Sequence, residues 1–430
     1  MKKITIIGGG ISGLVARYDL SKRFPNTDIQ LYEKTERLGG VIDTLQAPFF
    51  FERGPRTLQA GRSPELLQLI EELGLQKELI PSSPKAKKRY IYHEKKLCSL
   101  GKMMWTFLPA FLKEWRQPYP WEGDESIASF ATRRLGKEVA ETLFDPMALG
   151  IYGGDIHHLS ISACFPALKA MEKEHGSLTK AVFKRKKKKH AKGLLTLKGG
   201  LQTLITRLTE EGKGEIHLGK AVDTFPEGQT ILAVPVRQAA RFFQGDLEAM
   251  QFFEALPSAS LTVVHLAFEK GVQVPHGFGY LVPTKEEEDV LGVVFDSEIF
   301  PQQSRHKEMR LTVMLRQGGE EEALSVVRRH LGIDQPPAMV HSTVYLDAIP
   351  QYGVDHLKRV AAFEAYLEKH YPQVTCIGNY LKGVSLNACV KLSRGLKYKK
   401  SNAESSCTPP SEKRGVHREQ PPCQPGSYRT

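Results

Sequence analysis

The residues best placed for chemistry form a phosphate cradle, with no acid–base or nucleophilic triad beside it. Gly8-Gly9-Gly10-Ile11-Ser12-Gly13 contains G-x-G-x-x-G. In that pattern the first glycine makes a tight turn, the second lets backbone approach a pyrophosphate, and the third lets a helix pack on a strand. Gly8, Gly10 and Gly13 fill those roles, with Ile11 and Ser12 between them, and phosphate sits where free N–H groups and the positive end of the following helix converge. Glu33 follows Gly13 by twenty residues, where a carboxylate accepts hydrogen bonds from a ribose and disfavours a 2′-phosphate. Beyond it come the basic Lys34 and Arg37 and the pair Gly39-Gly40. In plain NAD dehydrogenases that stretch usually enters another crossover, whereas a glycine pair there lets backbone lie against an extended cofactor, which points to FAD.

Other reactive residue types give little. His157-His158 lacks metal-ligand spacing. The six cysteines, Cys98, Cys164, Cys376, Cys389, Cys407 and Cys423, form no C-x-x-C pair and read as reduced thiols of a cytosolic compartment. No metal site is expected. No catalytic side chain is expected either, because the redox chemistry belongs to the flavin.

The elements that must position the cradle are legible nearby. Lys3–Ile7 reads as a buried strand, Gly13–Leu20 as the start of a helix and Asp28–Glu33 as a second strand, a βαβ opening. Ser63, Pro64, the apolar Leu66, Ile70 and Leu73, and the stop at Gly74 predict an amphipathic helix. A stretch from about Leu100 to Lys192 is rich in helical pattern, Trp and Pro. Beyond Gly193 a helix is expected over Leu201–Leu208, with strands at Glu215–Leu218 and Thr230–Val234. Strand-like runs follow at Ser260–Phe268, Gly279–Val282, Leu291–Phe295, Leu311–Leu315 and Ser342–Leu346, suggesting a mixed or antiparallel sheet. A strand at Thr375–Tyr380 precedes a helix starting near Leu386.

With 430 residues, 41% of them hydrophobic and 25% charged, the chain can bury two interleaved domains. Its net charge of +12 is concentrated in two places. Val182–Lys192 holds seven basic residues and no acid, and Lys391–Thr430 holds nine basic against three acidic. Without zinc spacing, an aromatic RNA-binding motif or a helix-turn-helix beside these runs, nucleic acid is not expected as a partner. Lys2 and Lys3 before an apolar stretch imitate a secretory signal, but Gly8 to Gly10 break the helix such a signal needs. The longest apolar run, Met103–Leu112, is interrupted by Pro109 and is about half of the ~20 residues a spanning helix requires.

The glycine motif, the E-x-x-x-R-L-G-G of Glu33–Gly40 and the F-E-R-G-P-R of Phe51–Arg56 together resemble the flavin-containing amine oxidase and protoporphyrinogen oxidase superfamily. Later segments are similar, in order and spacing, to the oxygen-dependent protoporphyrinogen oxidases. These are L-S-I-S-A-C-F-P at Leu159–Pro166, L-K-G-G-L at Leu197–Leu201, G-F-G-Y-L-V-P at Gly277–Pro283, L-G-V-V-F-D-S at Leu291–Ser297 and G-N-Y-L-K-G-V-S-L-N-A-C at Gly378–Cys389. The resemblance runs from about Lys2 to Leu396. Past Lys397 the sequence turns polar and departs from the family, and Asn387 stands where many relatives carry Asp.

The resemblance implies an α/β fold: an FAD-binding Rossmann-type domain interleaved with a mixed-sheet substrate domain and a helical, membrane-facing insertion. Its expected boundaries are 1–75, 193–240 and 371–397 for FAD, 76–192 for the helical and membrane-facing part, 241–370 for the substrate sheet, and 398–430 for a disordered basic tail. It also implies non-covalent FAD and oxidation of a porphyrinogen, with O2 taking the electrons and peroxide released. By motif position the FAD residues are Gly8, Gly10, Ile11, Ser12, Gly13, Glu33, Lys34, Arg37, Gly39, Gly40, Gly54, Val222, Gly378, Val384 and Ser385. The substrate residues are Arg56, as a propionate partner, and Phe278, Gly279 and Leu281, as walls of the macrocycle pocket.

A cytoplasmic protein in peripheral contact with the inner membrane is expected, through Met103-Met104-Trp105, Phe107, Phe111-Leu112, Trp115 and Trp121 and the lysine run Lys184–Lys189. The oligomeric state stays open, a homodimer included. So do coproporphyrinogen III as substrate, an amine-oxidase or carotenoid-desaturase activity on the same scaffold, and a non-catalytic flavin or porphyrin carrier.

Overall fold

The computed structural model describes residues 3–116, 122–184, 193–269, 271–305 and 307–396. Trp121, most of the Lys184–Lys189 run and the tail from 398 onward lie outside the described residues. Two sheets organise the described chain. The first is five-stranded and wholly parallel, in the order Glu215–His217, Asp28–Tyr32, Lys3–Ile7, Gln229–Leu232, Val374–Cys376. Ile4, Thr5, Ile6 and Ile7 are all buried, because a parallel sheet is covered on both faces and its central strand reads as a continuous apolar run. The helix Ile11–Arg23 packs on it and is enclosed along most of its length. The helix Leu386–Arg394 lies against both this helix and the helix Pro64–Glu72.

The second sheet has seven strands, in the order Met339–Pro350, Ser258–Phe268, Met309–Leu315, Val290–Val294, Gly279–Leu281, Tyr90–His93, Lys96–Ser99. It is antiparallel except where Gly279–Leu281 pairs with Tyr90–His93. The sheet therefore draws two strands from 90–99, outside the 241–370 span expected to supply it. That hairpin turns at Glu94 and Lys95, both at positive φ (50° and 59°). Such a turn usually announces itself with Asn-Gly or Asp-Gly, and Glu-Lys carries no such signal. The helix Glu320–Leu331 covers one face through Ala323, Val326 and Val327. The opposite face presents polar side chains, described below.

In the helical insertion the expected aromatic face divides. Met103 and Phe107 are buried, while Trp105 is 76% and Leu112 56% exposed. Trp115 packs on Phe183 of the helix Leu178–Lys184 at 5.0 Å between ring centroids. Buried Glu114 holds the start of that helix, accepting hydrogen bonds from Ser177 Oγ (2.8 Å) and from the N–H groups of Leu178 (2.9 Å) and Thr179 (3.0 Å), and it pairs with Arg134. Among the described residues no helix is long and apolar enough to cross a membrane, and Cys98, Cys164, Cys376 and Cys389 are free thiols.

A buried carboxylate links segments far apart in sequence. Glu52 Oε1 accepts from the Leu201 N–H (2.7 Å) and Oε2 from Thr44 Oγ1 (2.9 Å), while Thr44 Oγ1 accepts from the Gln202 N–H (3.1 Å). Burial pushes the Glu52 carboxyl up to about 7, against these hydrogen bonds and the nearby Arg56 charge, which favour ionisation. An acid whose folded-state value is raised costs stability as pH climbs from its unfolded value through the folded one, and costs nothing below both. Glu52→Gln should therefore gain on the unaltered protein by up to about 3 kcal/mol between roughly pH 5 and pH 8. Thermal melts across that range test it, and a difference that does not change with pH would show that the carboxyl titrates normally.

Candidate flavin and substrate site

Gly8 sits at φ 110° and its N–H donates to the Tyr32 carbonyl (2.8 Å). A Cβ there would lie 2.5 Å from the Ala233 oxygen, one on Gly9 2.6 Å from Leu38 Cδ2, and one on Gly13 1.9 Å from the Gly8 oxygen. Gly8 and Gly13, which meet backbone, are required by the protein's own packing, whereas at Gly9 the flexible end of Leu38 could give way. Gly10 differs, since a Cβ there would meet nothing within 4 Å. It is the N-cap of the helix that begins at Ile11, and no side chain caps that end. Open space beside uncapped N–H groups at a helix N-terminus is the geometry that receives a phosphate.

The Glu33–Gly40 segment closes over this turn. Gly9 N–H donates to Glu33 Oε2 (2.8 Å), and Thr35 donates to Oε1 through its N–H (2.9 Å) and its hydroxyl (2.8 Å). Gly39 forms a bridge with Gly10, and its N–H donates to the Gly9 carbonyl (2.9 Å). Gly40 abuts Gly10, where a Cβ would lie 3.3 Å from the Gly10 Cα. Arg37 is spent holding this turn, donating to the carbonyls of Leu38, Gly40 and Ile42. Lys34 is exposed. Gly54 lies against the same turn, where a Cβ would fall 2.0 Å from the Val41 oxygen.

The later segments arrive through the sheet and the last helix. Gly219 and Lys220 donate to the carbonyls of Thr35 (3.0 Å) and Glu33 (2.9 Å), which brings half-buried Val222 toward the end of the second strand. Gly378 lies near Val234, itself a neighbour of Gly8. Ser385 caps the last helix, its hydroxyl accepting from the Ala388 N–H (3.2 Å), and Val384 packs half-buried against the core. Cys389 is buried in the helix Leu386–Arg394, which packs on the helix that opens at the glycine turn. Asn387 Oδ1 accepts from the Leu66 N–H (3.0 Å) and caps the Pro64–Glu72 helix.

On the substrate side, Arg56 Nη1 donates to Asp296 Oδ1 at 2.7 Å, both side chains being largely enclosed. Beside them lies a void of about 10 Å³, bounded by Glu52, Asp296, Phe300, Gln303 and Arg310, about the size that takes one water. Phe278 packs with Ile299 and Phe300, which also border that void. The Arg89 guanidinium stands 4.6 Å over the Phe278 ring centre. Gly279 is required by its neighbour, since a Cβ there would lie 2.1 Å from the Val293 oxygen. Leu281 turns elsewhere, its Cδ2 2.7 Å from where a Cβ on Gly150 would be.

The structure thus gathers Arg56 and Phe278 around shared neighbours and sets Leu281 against the helix Asp145–Tyr152. A wider cavity of about 490 Å³ opens beside that helix, lined by Glu141, Asp145, Asp155, Lys285 and Arg316 among others. Its charged walls do not suit an apolar macrocycle.

Motif reading left Asp296, His265 and Thr312 without a role. Asp296 stood inside a quoted motif, and His265 interrupts the apolar run T-V-V-H-L-A-F, the signal that could have drawn attention to it. Among the described residues no group of three or more His, Cys, Asp or Glu side chains could hold a metal ion.

Comparison with known proteins places the chain in a family. Residues 11–391 match the family model for flavin containing amine oxidoreductases. The chain is 29% identical to the protoporphyrinogen oxidase of Homo sapiens, covering 91% of this chain and 97% of that one. It is 25% identical to the coproporphyrinogen III oxidase of Staphylococcus aureus, covering 90% and 97%. A crystal structure from Exiguobacterium, provisionally assigned as a protoporphyrinogen oxidase, shares the fold with a TM-score of 0.80 at 24% identity, covering 91% of this chain and 97% of that one.

The contrast among the glycines gives a test. Gly13→Ala should destabilise the fold outright. Gly10→Ala, whose Cβ meets nothing within 4 Å, should cost the flavin-free protein no more than the ~1 kcal/mol of an alanine at an N-cap, far less than Gly13→Ala, while lowering the flavin retained on purification. Full flavin content in Gly10→Ala would mean that the open side of Gly10 does not face the cofactor.

Proposed function

Since the chain belongs to the flavin-containing amine oxidoreductases, we propose that it is an FAD-dependent porphyrinogen oxidase that takes protoporphyrinogen IX to protoporphyrin IX with O2 as acceptor. The observation that carries this reading is the near full-length match to relatives whose names specify oxidation of a porphyrinogen. When bound, the flavin supplies the acceptor for hydride from the macrocycle and returns the electrons to O2.

The chain's own task is to bind, orient and exclude water. Gly8, Gly10 and Gly13, with the first N–H groups of the helix at Ile11 and Ser12, are the groups for the pyrophosphate, and Glu33 for the ribose. Glu33 Oε2, which accepts only from the Gly9 N–H, keeps acceptor capacity for a ribose hydroxyl, whereas Oε1 is filled by the two bonds from Thr35. Gly39, Gly40, Gly54, Gly378 and the segment through Val384 and Ser385 bring backbone close to the extended cofactor, with Val222 near the adenine end. Arg56 has five N–H donors, and those not given to Asp296 can meet a propionate. Phe278, beside the neighbours it shares with Arg56, is the apolar wall for the macrocycle, with Gly279 letting its strand lie close to Val293, while Leu281 packs on the helix Asp145–Tyr152 and stands outside that group. No chain residue is assigned to the redox step.

Coproporphyrinogen III, with four carboxylates in place of two, is the second reading, favoured by the names of bacterial relatives. Purified protein given the two porphyrinogens in parallel under air separates them. Faster porphyrin fluorescence from protoporphyrinogen IX, with peroxide release, is expected. A flavin-loaded protein that oxidises neither would overturn the assignment.

Peripheral contact with a membrane belongs to the same proposal. It is supported by the outward apolar face of Met104, Trp105, Leu108, Leu112 and Phe183, rimmed by exposed Lys102, Lys113, Arg116 and Lys184. An apolar face bordered by basic residues is suited to an anionic lipid surface. The protein should float with anionic liposomes at low salt, and the double variant Trp105→Ser, Leu112→Ser should stay behind with its activity on soluble substrate retained. Equal flotation of the two proteins would remove this face from the proposal.

A further inference from the structure

The face of the seven-stranded sheet that meets Phe50–Arg56 carries polar side chains for which the proposed reaction has no use. Thr312, His265 and His341 occupy directly paired positions on three adjacent strands. Thr312 and His265 are fully enclosed. Buried polar groups persist in a sheet when their hydrogen bonds are met, and here the donors and acceptors can be ordered without ambiguity.

Arg56 can only donate, so Asp296 Oδ1 accepts at 2.7 Å. Asp296 Oδ2 accepts from Thr312 Oγ1, also at 2.7 Å, which uses the only hydroxyl proton Thr312 has. The Thr312 oxygen is then an acceptor toward His265 Nδ1 at 2.9 Å, so that nitrogen must carry the ring proton. His265 Nε2 makes no hydrogen bond. Burial, then the charges of Arg56, His341 and Arg53, hold His265 well below the usual imidazole range, and the neutral ring packs on Phe51 at 4.7 Å between centroids. Protonation at Nε2 would leave the Nδ1–H where it is, so the direction of the chain does not depend on the state of the ring.

We propose that Thr312 and His265 are positioning residues for Arg56, acting through Asp296 to decide how many of its donors remain for a substrate carboxylate. With Oδ2 anchored by Thr312, Asp296 offers Arg56 only Oδ1. Released from that anchor, the carboxylate can rotate and take the guanidinium in a bidentate fork, the favoured geometry of the pair. Donors that would meet the substrate are then consumed inside the protein. His265 keeps the Thr312 hydroxyl pointed at Asp296 by occupying its acceptor side. The inference rests on the reading of Arg56 as the partner of a porphyrinogen carboxylate.

The test uses the flavin-loaded protein and protoporphyrinogen IX. Thr312→Val, which keeps the shape and removes the hydroxyl, should raise KM about tenfold with kcat changed by less than about twofold and flavin content unchanged. His265→Leu should raise KM similarly, and the double variant no further than either single one, because both break one chain. His265→Asn, whose amide can still donate to Thr312, should bring KM back toward that of the unaltered protein. A role in folding alone would lower flavin content or melting temperature without separating KM from kcat.

Unchanged KM in fully loaded Thr312→Val overturns the proposal, as does additivity in the double variant. Should Thr312→Val fail to fold, equal KM values in His265→Leu and His265→Asn overturn it instead. Arg56→Ala separates the two levels: if it leaves KM unchanged, the reading of Arg56 itself falls, whereas a raised KM there with an unmoved Thr312→Val removes only the positioning chain.

Discussion

The segment Phe50–Arg56 must satisfy both sheets at once, and the placement of the site follows from that. On one side Glu52 is fastened to the Leu201 N–H and Thr44, elements that border the parallel sheet. On the other, Arg56 is fastened to Asp296, Arg53 reaches Thr343 (3.3 Å) while pairing with Asp43 (2.6 Å), and buried Arg310 donates to the Phe50 carbonyl (2.5 Å). Removing one member of a buried ion pair costs about 3–5 kcal/mol because its partner is left without compensation. The segment is therefore held at several points by interactions that are costly to lose singly. Gly54, in its middle, is held against the Val41 carbonyl that follows the Gly39-Gly40 turn.

What the sequence makes legible is what local geometry dictates. The glycine turn, the strand ahead of it, the helix behind it and Glu33 all fall within some thirty residues, and each constraint acts between near neighbours: Gly13 against Gly8, Gly39 against Gly9. The strands of the second sheet at Ser258–Phe268 and Met309–Leu315 were equally readable from their apolar patterning. The strand expected over Thr375–Tyr380 is shorter, Val374–Cys376, because the chain leaves the sheet to bring Gly378 past Val234. The hairpin at Tyr90–Ser99 stayed hidden because its turn is made by Glu94 and Lys95. The helix Glu320–Leu331 did carry a signature, with three glutamates in its first turn, basic residues in its last and Gly332 as its left-handed cap.

Partnerships across the fold were not legible, and the physical reason is the same in each case. Arg56 reads as an available cation, but its neighbour Asp296 lies 240 residues away, and nothing within a few residues of either specifies the pair. Arg37 likewise reads as a cofactor-facing base, and its bonds to three carbonyls of its own turn could not be read from the motif. In the insertion, period-3.6 patterning marks an amphipathic helix without saying which face is inward. The structure buries Met103 and Phe107 and leaves Trp105 and Leu112 outside, and Glu114, the residue that fixes this choice from within, looks in sequence like an ordinary surface acid.

Around the Arg56–Asp296 pair the titratable groups are enclosed and largely bonded to one another. Glu52, Asp296, Arg310 and His265 are enclosed, and Arg56 is nearly so; most of their polar atoms are engaged with other protein groups. An enzyme that relied on a side-chain acid or base would need such a group poised for proton transfer and within reach of its substrate. Here burial and mutual bonding restrain the position of these side chains, which serve as struts between the segments they join. A fixed arrangement is what hydride transfer to a bound ring requires of its surroundings, since the rate then depends on how closely donor and acceptor are held rather than on which side chain carries a proton. Arg56 is built into that framework through Asp296, so any group that meets its remaining donors meets a side chain held by the same network that fixes Phe50–Arg56 against both sheets.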